Sequence, residues 1–255
     1  MFKQFTFILV VVITGLGLFF IGLDILDIAE DYRLYLPIAT LNTIFISAVS
    51  MLVAYIAARS FTITGSFEIL GLGGAILAFG VGILIYGWFT RAALEVRITV
   101  YDSTVFMAGL LHFIGVILMK ARLNLSGLKS RHKWGTVLLS YLVIFTIIAV
   151  VTGLLYRGVL PSLTIPRDLI QGISAILCIA AAVICFKIYL KSHSAFYYWY
   201  SLGLVLFAFG VLFMSQGKLE SRVAWLGRTS QYVSGIYLLV AVLGAYRRAR
   251  APEVQ

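Results

Sequence analysis

Apolar residues fall in eight long blocks, at residues 5–23, 36–58, 67–89, 100–119, 135–156, 169–190, 196–214 and 230–246, separated by short polar or basic segments. About 20 helical residues cross the hydrocarbon core of a bilayer, and a backbone in hydrocarbon must satisfy its own amides. Each block therefore predicts one membrane-spanning helix. Alternating blocks of about ten residues, the mark of a membrane barrel, are absent. The expected fold is an all-α integral membrane protein with eight transmembrane helices. The first block is longer than the core of a secretory signal. No small-x-small cleavage pattern follows it before Asp24, so it reads as a retained helix.

The blocks are not independent of one another. Leu77-Ala78-Phe79-Gly80-Val81 returns as Phe207-Ala208-Phe209-Gly210-Val211, and Lys120-Ala121-Arg122 is answered by Arg248-Ala249-Arg250. Pro37 likewise has a counterpart in Pro166. Self-similarity at long period predicts a duplicated unit. Here it predicts two four-helix repeats within one polytopic domain, at about 1–125 and 133–250. Four is an even number, so the copies would share one orientation, as parallel repeats do.

Composition agrees with this reading: 62% of residues are hydrophobic and 12% charged, against about half and a quarter in soluble domains. The net charge of +10 sits in short clusters between blocks, where it sets topology and meets anionic headgroups, so nucleic acid is not an expected partner. With the N-terminus inside, 12 Lys and Arg fall on inner segments and 8 on outer ones. Lys120, Arg122, Lys129, Arg131 and Lys133 crowd one inner loop; Arg33, Arg91, Arg97, Arg157, Arg167, Lys218, Arg222 and Arg228 are assigned outside. This predicts two cytoplasmic termini in a multi-pass protein of the cell membrane. Cys178 and Cys185, in one apolar block, read as small packing residues rather than a disulfide or zinc site.

Polar groups inside a span are the candidates for function. His112, near the middle of the fourth block, reads first as a packing residue or interhelical hydrogen bonder, and otherwise as a ligand or proton relay. His132 and His193 lie in loops, so neither a metal site nor a haem is expected. Asp102 and Asp168 read as helix N-caps, with Gln171 on the face of Asp168. Thr43, Ser47 and Ser50, with Asn42 beside them, form a polar stripe suited to close helix packing or to lining a cavity. The acidic segment at 24–31 reads as an interfacial helix, and Phe196 to Tyr200 as an interfacial aromatic belt. No Lys lies deep in the last two blocks to hold retinal, and no HExxH, paired intramembrane Asp or GxSxG appears. Neither an enzyme nor a bound cofactor is expected.

Residues 76–88 (ILAFGVGILIYGW), 98–104 (ITVYDST), 109–115 (GLLHFIG) and, most tellingly, 225–240 (WLGRTSQYVSGIYLLV) resemble the N-terminal membrane module of archaeal and bacterial sensor histidine kinases. Such membrane-associated sensory modules, of the broad MASE type, precede PAS and kinase domains. The resemblance implies a signal-input module of two-component type, with Asp102, His112, Arg228 and Gln231 as the matching polar positions. Those domains do not follow here, which implies a free-standing sensor or an input module serving a separate kinase, PAS or cyclase protein. Asn42 and Ser47 join the candidates for ligand or signal contact, and Arg247, Arg248 and Arg250 those for output. Besides the bilayer and that partner, a homodimer is the remaining association open to it. A small-solute permease built on the parallel repeat is the alternative function.

Overall fold

The computed structural model describes residues 35–89, 92–121, 125, 127, 129–160, 166–216 and 221–250. The first apolar block and the acidic segment at 24–31 lie outside the described residues. The described chain is helical throughout. α1 runs from Tyr35–Asn42 through a π-helical turn, Thr43–Ala48, into Val49–Thr64. It is followed by α2 (Phe67–Trp88), α3 (Leu94–Lys120), α4 (Ser130–Tyr156), α5 (Arg167–Ser192), α6 (Ala195–Gln216) and α7 (Arg222–Arg250). All seven are long and apolar enough to cross a bilayer, the make-up of a multi-pass helical membrane protein.

Six helices form a closed ring in the order α1, α2, α3, α5, α6, α7, and α7 returns to pack on α1. α4 stands outside this ring against α1, α2 and α3. Burial follows that placement. Sixteen of the 22 residues of α2 are buried, whereas α4 buries five of 27. The apolar side chains α4 exposes, such as Leu138, Leu142 and Val150, are where lipid would lie. Across the ring, Phe79 of α2 meets Phe207 of α6 edge to face, with centroids 4.8 Å apart. Cys178 and Cys185 are free thiols buried in the apolar core.

Lipid supplies no hydrophobic drive for one helix to seek another, so close backbone approach and interhelical hydrogen bonds do that work. At the α2–α3 contact, Gly71 faces Gly115 so closely that a Cβ on Gly71 would stand 2.9 Å from the Gly115 Cα. At the α6–α7 contact, a Cβ on Gly210 would stand 2.9 Å from the Gly227 carbonyl oxygen. Serine hydroxyls also cross between helices. Ser47 Oγ donates to the Gly80 carbonyl and Ser234 Oγ to that of Gly203, each at 2.8 Å.

Two tight turns are built alike. α1 ends on Gly65 in the left-handed region (φ 73°), whose N–H closes on the Phe61 carbonyl at 2.7 Å. α5 ends on His193 (φ 51°), whose N–H closes on Tyr189 at 2.7 Å. A serine follows each and receives the first backbone bond of the next helix, Ile69 to Ser66 and Tyr197 to Ser194.

Three sequence expectations shift. α3 starts at Leu94 and α7 at Arg222, each well ahead of its apolar block. Arg97 and Arg228, assigned above to outer loops, thus lie inside α3 and α7 and are buried. Asp102 lies eight residues into α3 and is no N-cap. Asp168 is the second residue of α5, after Pro166 at the N-cap position, and points into the open.

Gly71→Val should destabilise the protein by about 1–3 kcal/mol, because neither backbone can retreat. Gly135→Ala, on an open face of α4 with no neighbour within 4 Å, should leave the thermal midpoint in detergent unchanged or raised. Equal losses in both variants would contradict this packing.

Candidate functional site

The polar residues of the bundle gather near the end where α1, α3, α5 and α7 begin, hereafter the first end. Two hydrogen bonds tie neighbouring helices across the seams of the ring. Tyr232 of α7 donates from Oη to Asn42 Oδ1 of α1 at 2.7 Å. Gln171 of α5 donates from Nε2 to Asp102 Oδ1 of α3 at 2.6 Å. Between them Gln231 Nε2 donates to Tyr101 Oη at 3.0 Å, joining α7 to α3 through the centre. All six side chains are buried.

Helical spacing explains the grouping. Arg97 and Tyr101 are four apart on α3, and Arg228, Gln231 and Tyr232 are three and four apart on α7, so each set shares a face. The π-helical turn that follows Asn42 inserts an extra residue into the α1 ladder, a feature common at functional sites. Asn42 is thereby turned to α7 while Ser47 faces α2. Thr43 caps this irregularity, donating to Ala39 and accepting from Trp88 Nε1 at 2.7 Å.

Cations surround the seams. Arg167 Nε lies 3.5 Å from Asp102 Oδ1, and its guanidinium lies 6.0 Å from the Tyr101 ring centre. Arg97 donates to the Tyr86 carbonyl at 2.9 Å and packs over the Tyr86 ring. Arg228, 2% exposed, packs 5.0 Å from the Trp225 ring centre. Burying a charge is costly unless it is paired, and among the described residues aromatic faces, the Tyr86 carbonyl and Asp102 contribute to that task. A cleft opens among Asn42, Tyr101, Arg167, Arg228 and Gln231, with a core of about 10 Å³, room for about one water. A second cleft of the same size lies deeper, against Phe79 and Phe207, and shares Gln231 with the first.

His112 stands apart, well towards the other end. Its Nδ1 lies 3.0 Å from Tyr200 Oη of α6, an interhelical bond of the kind favoured from the sequence, while Nε2 has no hydrogen-bond partner. Tyr200 belongs to the aromatic segment read as an interfacial belt, yet it is wholly buried. Arg247, Arg248 and Arg250 are exposed on the last turn of α7. Arg248 Nη1 donates to Ser194 Oγ in the α5–α6 turn at 2.8 Å, and Arg250 packs over Tyr246.

Of the sequence candidates, the structure brings Asn42, Asp102, Arg228 and Gln231 to one end. It leaves Ser47 on the α1–α2 contact and His112 in a separate pair. Sequence reading missed Tyr101, Tyr232, Arg97 and Arg167 as members, although the four-residue spacing of Tyr232 from Arg228 would have marked that one. Among the described residues no group of His, Cys, Asp and Glu could hold a metal ion. The chemistry available is hydrogen bonding and cation recognition of a polar group.

Gln171→Leu removes the donor to a buried carboxylate and should destabilise by about 1–3 kcal/mol. Asp168→Asn, one turn away and exposed, should not move the thermal midpoint; indistinguishable midpoints for the two variants would refute the Asp102–Gln171 bridge. No protein family, curated protein or solved structure matches this chain.

Proposed function

We propose that this protein is a signal-input module of the cell membrane, with both termini cytoplasmic. The reading is carried by one observation. A single uninterrupted helix, α7, holds Arg228, Gln231 and Tyr232 in the buried polar cluster and Arg247, Arg248 and Arg250 exposed at its far end. At 1.5 Å per residue, the 20 residues from Arg228 to Arg248 span about 30 Å. A cue that alters the cluster has a rigid lever to the other face.

The two-repeat reading fits this role. The Asp102–Gln171 and Asn42–Tyr232 bridges have positions offset by 130 and 129 residues, on the α3–α5 and α7–α1 seams. The like turns at Gly65 and His193 are spaced in nearly the same way. A pseudo-twofold axis through the ring accounts for both the bridges and the turns. The halves then meet along seams whose polar bridges are the weak points of an apolar bundle. A cue shifts the balance only if it binds two arrangements of the halves with different affinity. The likeness to MASE-type sensory modules supports this reading.

A permease is the second reading, favoured by the two clefts that share Gln231 along the axis. The Phe79–Phe207 contact lines the deeper cleft, so transport would require that contact to open.

Native co-purification in mild detergent, with mass spectrometry of what stays bound, separates the two. The sensor reading predicts a kinase, PAS or cyclase protein that is lost when Arg247, Arg248 and Arg250 are all changed to Ala. Recovery of the protein alone, together with solute uptake in proteoliposomes, would overturn it in favour of the permease.

A further inference from the structure

Two buried side chains that border the deeper cleft have hydrogen-bonding atoms left over. Ser50 of α1 is 3% exposed, and its hydroxyl makes no hydrogen bond among the described residues. Its Cβ is held against α2, so close to Gly80 that a Cβ on the glycine would stand 2.5 Å from it. Gln231 of α7 gives an amide N–H to Tyr101 Oη, while its Oε1 makes no hydrogen bond among the described residues. Ser234, three residues on and so on the same face, donates its proton to the Gly203 carbonyl and keeps lone pairs with which to accept. The rest of the wall is apolar, Phe79 and Phe207 included, and the core of the cleft measures about 10 Å³. Leaving a hydroxyl and an amide oxygen unpaired in such an interior is costly.

We propose that the deeper cleft binds one water molecule, held by Ser50, Gln231 and Ser234 between the two halves of the ring. Size and valence both fit. About 10 Å³ on this measure is just enough for a single water. That water accepts from Ser50 Oγ and donates to Gln231 Oε1 and Ser234 Oγ, three bonds, the usual number for a buried water. An ion would find no opposite charge in this wall. Through the water, Ser50 of the first half joins Gln231 and Ser234 of the second, and Ser234 is already tied to α6. The helices α1 and α7 then meet twice: directly at Asn42–Tyr232 and, about 12 Å further along α1, through the water. A bridging water exchanges partners as the halves shift, where a direct bond would have to break. The site serves a sensor and a permease equally, so it stands apart from the choice between them.

The test is solid-state NMR of the full chain in lipid, with polarisation transferred from water to labelled side chains at short mixing times. Ser50 and Ser234 should receive it quickly. Leu238, wholly buried in the apolar core one turn beyond Ser234, should not. In a double variant, Ser50→Ala with Gln231→Leu, only one polar partner remains, and transfer to Ser234 should fall to the level of Leu238. If that variant fails to fold, the wild-type comparison decides the matter. Transfer to Ser50 and Ser234 no faster than to Leu238 would show a dry cleft and overturn the site. Undiminished transfer to Ser234 in the folded double variant would overturn it as well.

Discussion

A polar side chain inside a bilayer must find its partner within the protein, and the organisation of this bundle follows from that constraint. Asn42, Asp102, Gln171 and Tyr232 are all buried in the bundle. Each is answered by a residue on the next helix around the ring. These bridges are polar marks on seams built mainly of small and apolar residues. They fix which helices meet and in what register, while glycine contacts such as Gly71–Gly115 set how closely. Lipid-facing α4, with few polar contacts, is held by Tyr141 to the Ala54 carbonyl and by Lys133 to that of Ile63.

The same constraint separates what could be read in the chain from what could not. The seven apolar blocks that fall within the described residues correspond to long helices, since a block of this length in hydrocarbon has few other solutions. Where a helix continues beyond its apolar block, hydropathy lost it. Glu95 and Arg97 in α3, and Arg222 and Arg228 in α7, look like loop residues. Yet Arg97 and Arg228 are covered by protein, and hydropathy reports contact with lipid rather than burial among helices. The N-cap reading of Asp102 failed for this reason: it assumed a helix beginning at the edge of apolarity. His112 fared better, because a lone intramembrane histidine needs a hydroxyl or carbonyl partner wherever it points, and Tyr200 supplies it. That Tyr200 would be the partner was invisible among five consecutive aromatic residues.

The six-helix ring also makes sense of the offset near 130 residues. When one four-helix unit is copied and the copies face each other about an axis, every bridge made on one seam has a homologue on the other. Side chains can then drift while the seam keeps a polar bond. A Gln–carboxylate pair stands on one side and a Tyr–amide pair on the other. That difference is suited to asymmetric work: among the described residues the ion pair lies on the α3–α5 seam, and α7 ends in a basic cluster. In this account a disturbance enters at the charged seam and leaves along the opposite helix.

The claim that the seams govern the far end of α7 is most directly tested by distance. Spin labels at Lys120 and Arg247, at the ends of α3 and α7, would be measured in lipid by pulsed dipolar spectroscopy. The comparison is with a chain whose seams are cut by Gln171→Leu and Tyr232→Phe. The account predicts a displaced or clearly broadened distance distribution in the folded double variant. Superimposable distributions would show that the polar bridges do not set the position of α7, and the relay would fall with them.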